Sequence, residues 1–165
     1  MSSTTEDADL FLVLRVFTPD LREVTFAGAI DPHTPVAQGW LRASHRALDA
    51  HISRPYRPYH THTTPQHLVP GTPVELDIEL WPTSIVVPAG YRIGLSVRGK
   101  DYIFAASTGL KLSNFKNELL GCGPFLHNDP RDRPKAIFDA TTTLHVGGPY
   151  EAFVLLPVVP VAQKS

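Results

Sequence analysis

VELDIELW, residues 74–81, alternates without a break: Val74, Leu76, Ile78 and Leu80 fall on one side, Glu75, Asp77 and Glu79 on the other. A period of two marks a half-buried antiparallel strand, because successive side chains of extended backbone point to opposite faces. DLFLVLRVF (9–17) is apolar on both faces, as a central strand covered on both sides would be. TPDLRE then supplies turn residues before VTFAGAI, which predicts a first hairpin. VAQGWLRAS (36–44), YRIGLSVR (91–98), AIFDATTTLHV (136–146) and EAFVLLPVV (151–159) read as further strands, the last two joined through GGPY. No stretch of comparable length has a helical period, and most of the 16 prolines fall between the apolar segments. The two long connections, 45–73 and 99–135, are rich in Pro, His, Asn and Gly, and loops of that length are usually functional or pack on a neighbour. About eight short strands with turn signals predict an all-β fold, a jelly-roll β-sandwich rather than an immunoglobulin type, since the Cys…Trp…Cys pattern is missing.

Composition narrows the partners. The 165 residues suit one domain, and 15 Lys and Arg against 16 Asp and Glu give a net charge of −1 with no block of one sign. Neither nucleic acid nor an anionic membrane is expected as a partner. No apolar run approaches the ~18 residues of a membrane span, and a single cysteine, Cys122, excludes an internal disulfide. MSSTTEDADL lacks the basic start and apolar core of a signal peptide, so the expected location is cytoplasmic. Residues 1–6 are expected to be disordered, 7–160 to form one domain, and 161–165 to be a tail.

Several short motifs invite a chemical reading. Gly94-Leu95-Ser96-Val97-Arg98-Gly99 has a serine between glycines, but a nucleophile elbow needs a strand, a strained turn and then a helix. Ser96 falls inside an alternating segment and no helix follows, so it is read as an ordinary strand serine and no catalytic residue is expected. In PYRPYHTHTTPQH, His60 and His62 share a face if extended, and His67 could add a third zinc or iron ligand. No acidic residue lies in that segment, and its prolines and aromatics suit a loop laid against a surface; neither metal nor cofactor is expected. His127, Asp129 and Asp132 of HNDPRDRP could form an acid–base group or bind calcium, but an Asx-turn before Pro130 accounts for them more simply. Trp40 and Trp81 sit at strand positions and read as core or interface packing ahead of a sugar-stacking platform.

Taken in order, DADLFLVLRVF, GWLRASHR, PYRPYHTH, VELDIELWPTSIVVPAGYRIGLSVRG, GPFLHNDPRDRP and TLHVGGPYEAFVLLPVVP resemble the C-terminal, non-catalytic domain of the Xaa-Pro dipeptidyl-peptidase and cocaine esterase family of serine hydrolases. The likeness runs over roughly residues 7–160, with Glu75 to Gly99 its most specific part. The resemblance implies a galactose-binding-like jelly roll packed on an α/β-hydrolase domain that carries the Ser, Asp and His of the triad and lies outside this chain, upstream in the same gene or on a separate chain. None of those triad residues maps to a position here. It also implies a strand ahead of Asp7, so the sandwich is expected to lack its first strand and to self-associate at the open edge. Arg42, His45, Arg46, Tyr56, Tyr59, His60 and His62 mix aromatic anchors with hydrogen-bonding groups and are the expected contact surface. The alternative is an independent module that binds carbohydrate or another small ligand, since a sandwich fold alone does not decide function.

Overall fold

The stretch that is apolar on both faces becomes the centre of the main sheet. In the computed structural model, which describes residues 1–106, 111–114, 119–124 and 126–160, the elements in chain order are β1 (Ser2–Ser3), β2 (Asp9–Phe17), β3 (Glu23–Val24), β4 (Ala37–Arg42), β5 (Arg92–Arg98), α1 (Lys135–Phe138) and β6 (Thr142–Thr143). β2 is paired along both edges. One edge takes β4, from Asp9↔Arg42 to Leu14↔Ala37, and beyond it β3, at Val16↔Val24 and Phe17↔Glu23; the other takes β5, from Phe11↔Arg98 to Phe17↔Arg92. All of these pairings are antiparallel, and the fold is all-β. With neighbours on both edges and cover on both faces, Leu10, Phe11, Val13, Leu14 and Val16 are buried, each stabilising the fold by roughly 2 kcal/mol.

Beside the even-numbered face of β2, Leu14, Val16, Val36 and Ala37 form one core cluster, closed by Val24, Leu80, Ile85, Val87 and Tyr91. A second cluster joins Ala8, Ala43 and Leu68 to Met1, Val74 and Leu76. Both clusters draw on the segment 74–91, which runs across the sheet as a strap. The predicted face of VELDIELW is therefore right, with Val74, Leu76 and Ile78 half-buried and Glu75 and Asp77 exposed. Its expected place in a ladder is not, because the strap is assigned to no strand and crosses β4, where Trp81 N–H donates to the Gln38 carbonyl at 2.8 Å. Alternation records which side is apolar, and a strap that seals a core needs the same record as a paired strand.

Four more expectations are corrected. Residues 1–6 are ordered: Ser2 pairs with Thr143 and Ser3 with Thr142, the Met1 ammonium donates to the Val74 carbonyl at 2.7 Å, and Thr5 Oγ1 donates to the Ile137 carbonyl at 2.7 Å. Hydrogen bonds to distant segments replace the apolar alternation expected of an ordered start. AIFDATTTLHV is broken rather than continuous, because Pro134 starts the single turn α1, with Ile137 and Phe138 N–H both on its carbonyl, before the short β6. EAFVLLPVV follows a turn closed at Gly147 and Tyr150, as expected, but joins no strand, and Phe153, Val158 and Val159 are largely exposed. VTFAGAI contributes only Val24 to β3, followed by a bridge between Phe26 and Thr34.

Candidate functional site

The connection after β4 folds back on itself beside the 3-10 turn Ala43–His45. Asp49 N–H donates to the Tyr59 carbonyl at 2.8 Å and Thr61 N–H to the Ala47 carbonyl at 2.9 Å, so a hairpin-like excursion carries Tyr56 and Tyr59 outward, 68% and 51% exposed. Its return brings three histidines together. His62 has φ 51°, a left-handed conformation costly for a residue with a Cβ, and its Nδ1 lies 3.1 Å from Nδ1 of His45; one of the two nitrogens must donate and the other accept. The His60 ring is 5.9 Å from that of His62. Burial holds the His60 imidazole below its ordinary value, with His62 acting in the same direction and Asp77 and Glu79 against it. The sequence grouped His60 and His62 with His67; the fold substitutes His45, and His67 is exposed. Among the described residues, no group of three or more His, Cys, Asp or Glu is arranged to hold a metal.

Two arginines expected at the contact surface have their donors committed inside the chain. Arg42 grips both oxygens of Asp9, at 2.8 and 3.0 Å, and both of Asp132, at 3.0 and 2.9 Å, and its guanidinium is raised further by those carboxylates. Arg133 joins the same Asp9 at 2.9 Å, and the Phe138 ring lies against both guanidinium groups, 4.6 and 5.5 Å from centroid to carbon. The network ties the start of β2 and the end of β4 to α1. Arg46 reaches the carbonyls of Ala43 and Gln66. Of the other five residues of the predicted set, Tyr56, Tyr59 and His62 are exposed, while His45 and His60 are half-buried.

HNDPRDRP does not act as one acid–base group. Asp129 pairs with Arg131 and Asp132 with Arg42, while His127 pairs with Asp101, which the sequence did not single out because 26 residues separate them. Both Asp101 oxygens are used, accepting from the His127 backbone N–H at 2.7 Å and meeting its Nδ1 at 2.8 Å. The imidazole is wedged between Phe11 and Trp40, with ring centroids 5.3 and 5.4 Å away. Trp40 also meets Trp81 at 4.9 Å, and both are exposed, at 41% and 59%; they form a surface shelf and take no part in the core.

Ser96 stands in the middle of β5 opposite Val13, and its Oγ accepts from Arg15 at 3.3 Å. An arginine donor is no general base, and a ladder residue presents no strained turn. Cys122 is no nucleophile near neutrality, since burial, followed by the Asp101 and Asp31 carboxylates, pushes its thiol up to about 11. No helix of the described residues is long and apolar enough to cross a membrane.

The profile of the X-Pro dipeptidyl-peptidase C-terminal non-catalytic domain matches residues 1–154, and so takes in the first six residues as well as the expected domain. Two crystal structures of a CocE/NonD family hydrolase from Staphylococcus aureus are similar to the chain, with TM-scores of 0.57 and 0.59, identities of 32% and 31%, and coverage of 66% and 67% of this chain. The match spans only 20% of the length of those hydrolases. Among curated proteins none matches.

Proposed function

The chain belongs to the X-Pro dipeptidyl-peptidase C-terminal non-catalytic domain family, and from that premise we propose that it is the accessory domain of a serine hydrolase, packing on an α/β-hydrolase domain and shaping access to its active site. The observation that carries this reading is the combination of a match along 1–154 with a share of only 20% in the similar hydrolases: the residues that would do chemistry belong to the other part of such an enzyme. A galactose-binding-like jelly roll and a cytoplasmic setting are parts of the same proposal. The contact surface is assigned to the excursion after β4, through His45, Tyr56, Tyr59, His60 and His62, with Arg42 and Arg46 bracing it from behind. Exposed aromatics beside hydrogen-bonding groups are the composition that dominates binding energy at interfaces. Where the catalytic part is missing, the exposed edge and face of β5 lead the chain to self-associate.

The test is co-expression with the α/β-hydrolase reading frame that precedes or adjoins this one. A stable complex or single polypeptide is expected, labelled by a fluorophosphonate probe only on its catalytic part, and weakened by Tyr56→Ala with Tyr59→Ala. Labelling of this chain at Ser96 would sink the proposal. So would failure of any hydrolase partner to bind, in which case a hit on a glycan array would favour the independent binding module.

A further inference from the structure

A cleft of about 320 Å³ opens beside the Asp101–His127 pair, lined by Lys100, Ile103, Leu126, Asn128, Lys135 and Phe138 together with the pair itself, Arg133 and Asp139. We propose that this cleft binds a small organic carboxylate with an apolar body, held by its head at Lys100 and Lys135 and by its body on Ile103, Leu126 and Phe138. The inference does not depend on the hydrolase reading, since every group it uses lies in this chain.

The charges select an anion. Asp101 is 12% exposed at its side chain and spends both oxygens on His127, so it orients the ring instead of meeting a ligand. With Nδ1–H given to Asp101, the ring, 40% exposed, serves as a wall of the cleft, and the anionic head falls to the ammonium groups. Arg133 is committed to Asp9 and to the carbonyls of His127 and Gly99, which makes it a fixed wall. Lys100 and Lys135 are exposed and form no ion pair among the described residues, leaving two ammonium groups against the carboxylate of Asp139, the other lining carboxylate being engaged by His127. Ammonium groups reward an anionic head with charge-assisted hydrogen bonds and repel an amine.

The rest of the cleft selects an apolar body and is preorganised to receive it. Ile103 and Leu126 are 47% and 46% exposed, an apolar patch that a ligand would cover. Phe138 is held against the guanidinium groups of Arg42 and Arg133, and His127 between Phe11 and Trp40. Groups already fixed lose little freedom on binding, which is where weak ligands usually lose affinity. The volume lies at the low end of the range for small-molecule sites, and so suits one ring or a branched chain.

Phenylacetate is the probe, titrated into the isotope-labelled chain by NMR, with phenylacetamide, phenethylamine and acetate as controls. Saturable shifts are expected at the His127 ring and at amides of 100–103, 126–128 and 135–139, with a dissociation constant on the order of 1 mM for so small a ligand. The neutral amide, the amine and acetate should each bind about tenfold more weakly or less. A Lys100→Ala, Lys135→Ala variant alters two exposed side chains and should keep its melting temperature while losing about tenfold in affinity. Equal binding of phenylacetate and phenylacetamide, an unchanged affinity in the double-lysine variant, or shifts centred away from His127 would each overturn the proposal.

Discussion

At the scale of the residue, buried carboxylates hold loops that the sequence left unspecified. Asp31, 3% exposed, accepts from His33 N–H through one oxygen and from Gly121 and Gly123 N–H through the other, at 2.7 to 2.9 Å. Asp7 does the same for Ala8 and Ser44. Neither was legible, because the partners of Asp31 lie about 90 positions away along the chain and a lone Asp before Pro reads as a turn. His60 carries a testable pH dependence. Burial lowers its value from 6.5 in the folded chain, so as the pH falls below 6.5 the unfolded chain takes up a proton that the folded chain resists. Stability contributed by neutral His60 is present above that pH and is lost as the pH drops toward the folded value. Melting temperatures at pH 7.5 and 5.5 should fall less for His60→Gln than for the parent chain, by about 2 °C. Equal falls would show that His60 takes no part.

At the scale of the element, DLFLVLRVF was read correctly to its ends, because a strand with both faces covered announces itself in nine consecutive residues. VELDIELW, the cleaner pattern, was read correctly for its face and wrongly for its pairing. Gly39 shows what decides the matter: a Cβ there would lie 2.0 Å from the Glu79 carbonyl oxygen and 2.9 Å from its carbon. The strap fits over β4 only because residue 39 has no side chain. Gly39→Val should lift it away, open the cluster that Leu80 closes, and cost about 3 kcal/mol in urea unfolding. Gly99→Ala, with nothing within 4 Å, is the control and should stay within about 0.5 kcal/mol of the parent. If both variants unfold like the parent, the close crossing is not what positions the strap.

At the scale of the whole molecule, the chain exposes 11473 Å², where a folded monomer of its mass exposes about 8,100 Å². Part of the excess lies on β5, where Ile93, Leu95 and Val97 are 51%, 38% and 38% exposed, on a strand whose only partner among the described strands is β2. An apolar face beside an open edge is a template for association. Light scattering on the chain alone should show mass rising with concentration, and Ile93→Lys with Val97→Lys should suppress the rise; a monomer at every concentration would contradict the role given to β5. The sequence by itself determined the strand class, the central strand, the apolar side of residues 74–80 and the family, because each is written in local alternation or in the order of short motifs. Tertiary structure alone decided that His127 meets Asp101, that His45 joins His60 and His62, that Arg42 turns to Asp9 and Asp132, and that the two tryptophans stay at the surface. Those outcomes depend on which distant segments share a face of the sheet, and a period of two records the face of each residue without naming its neighbour.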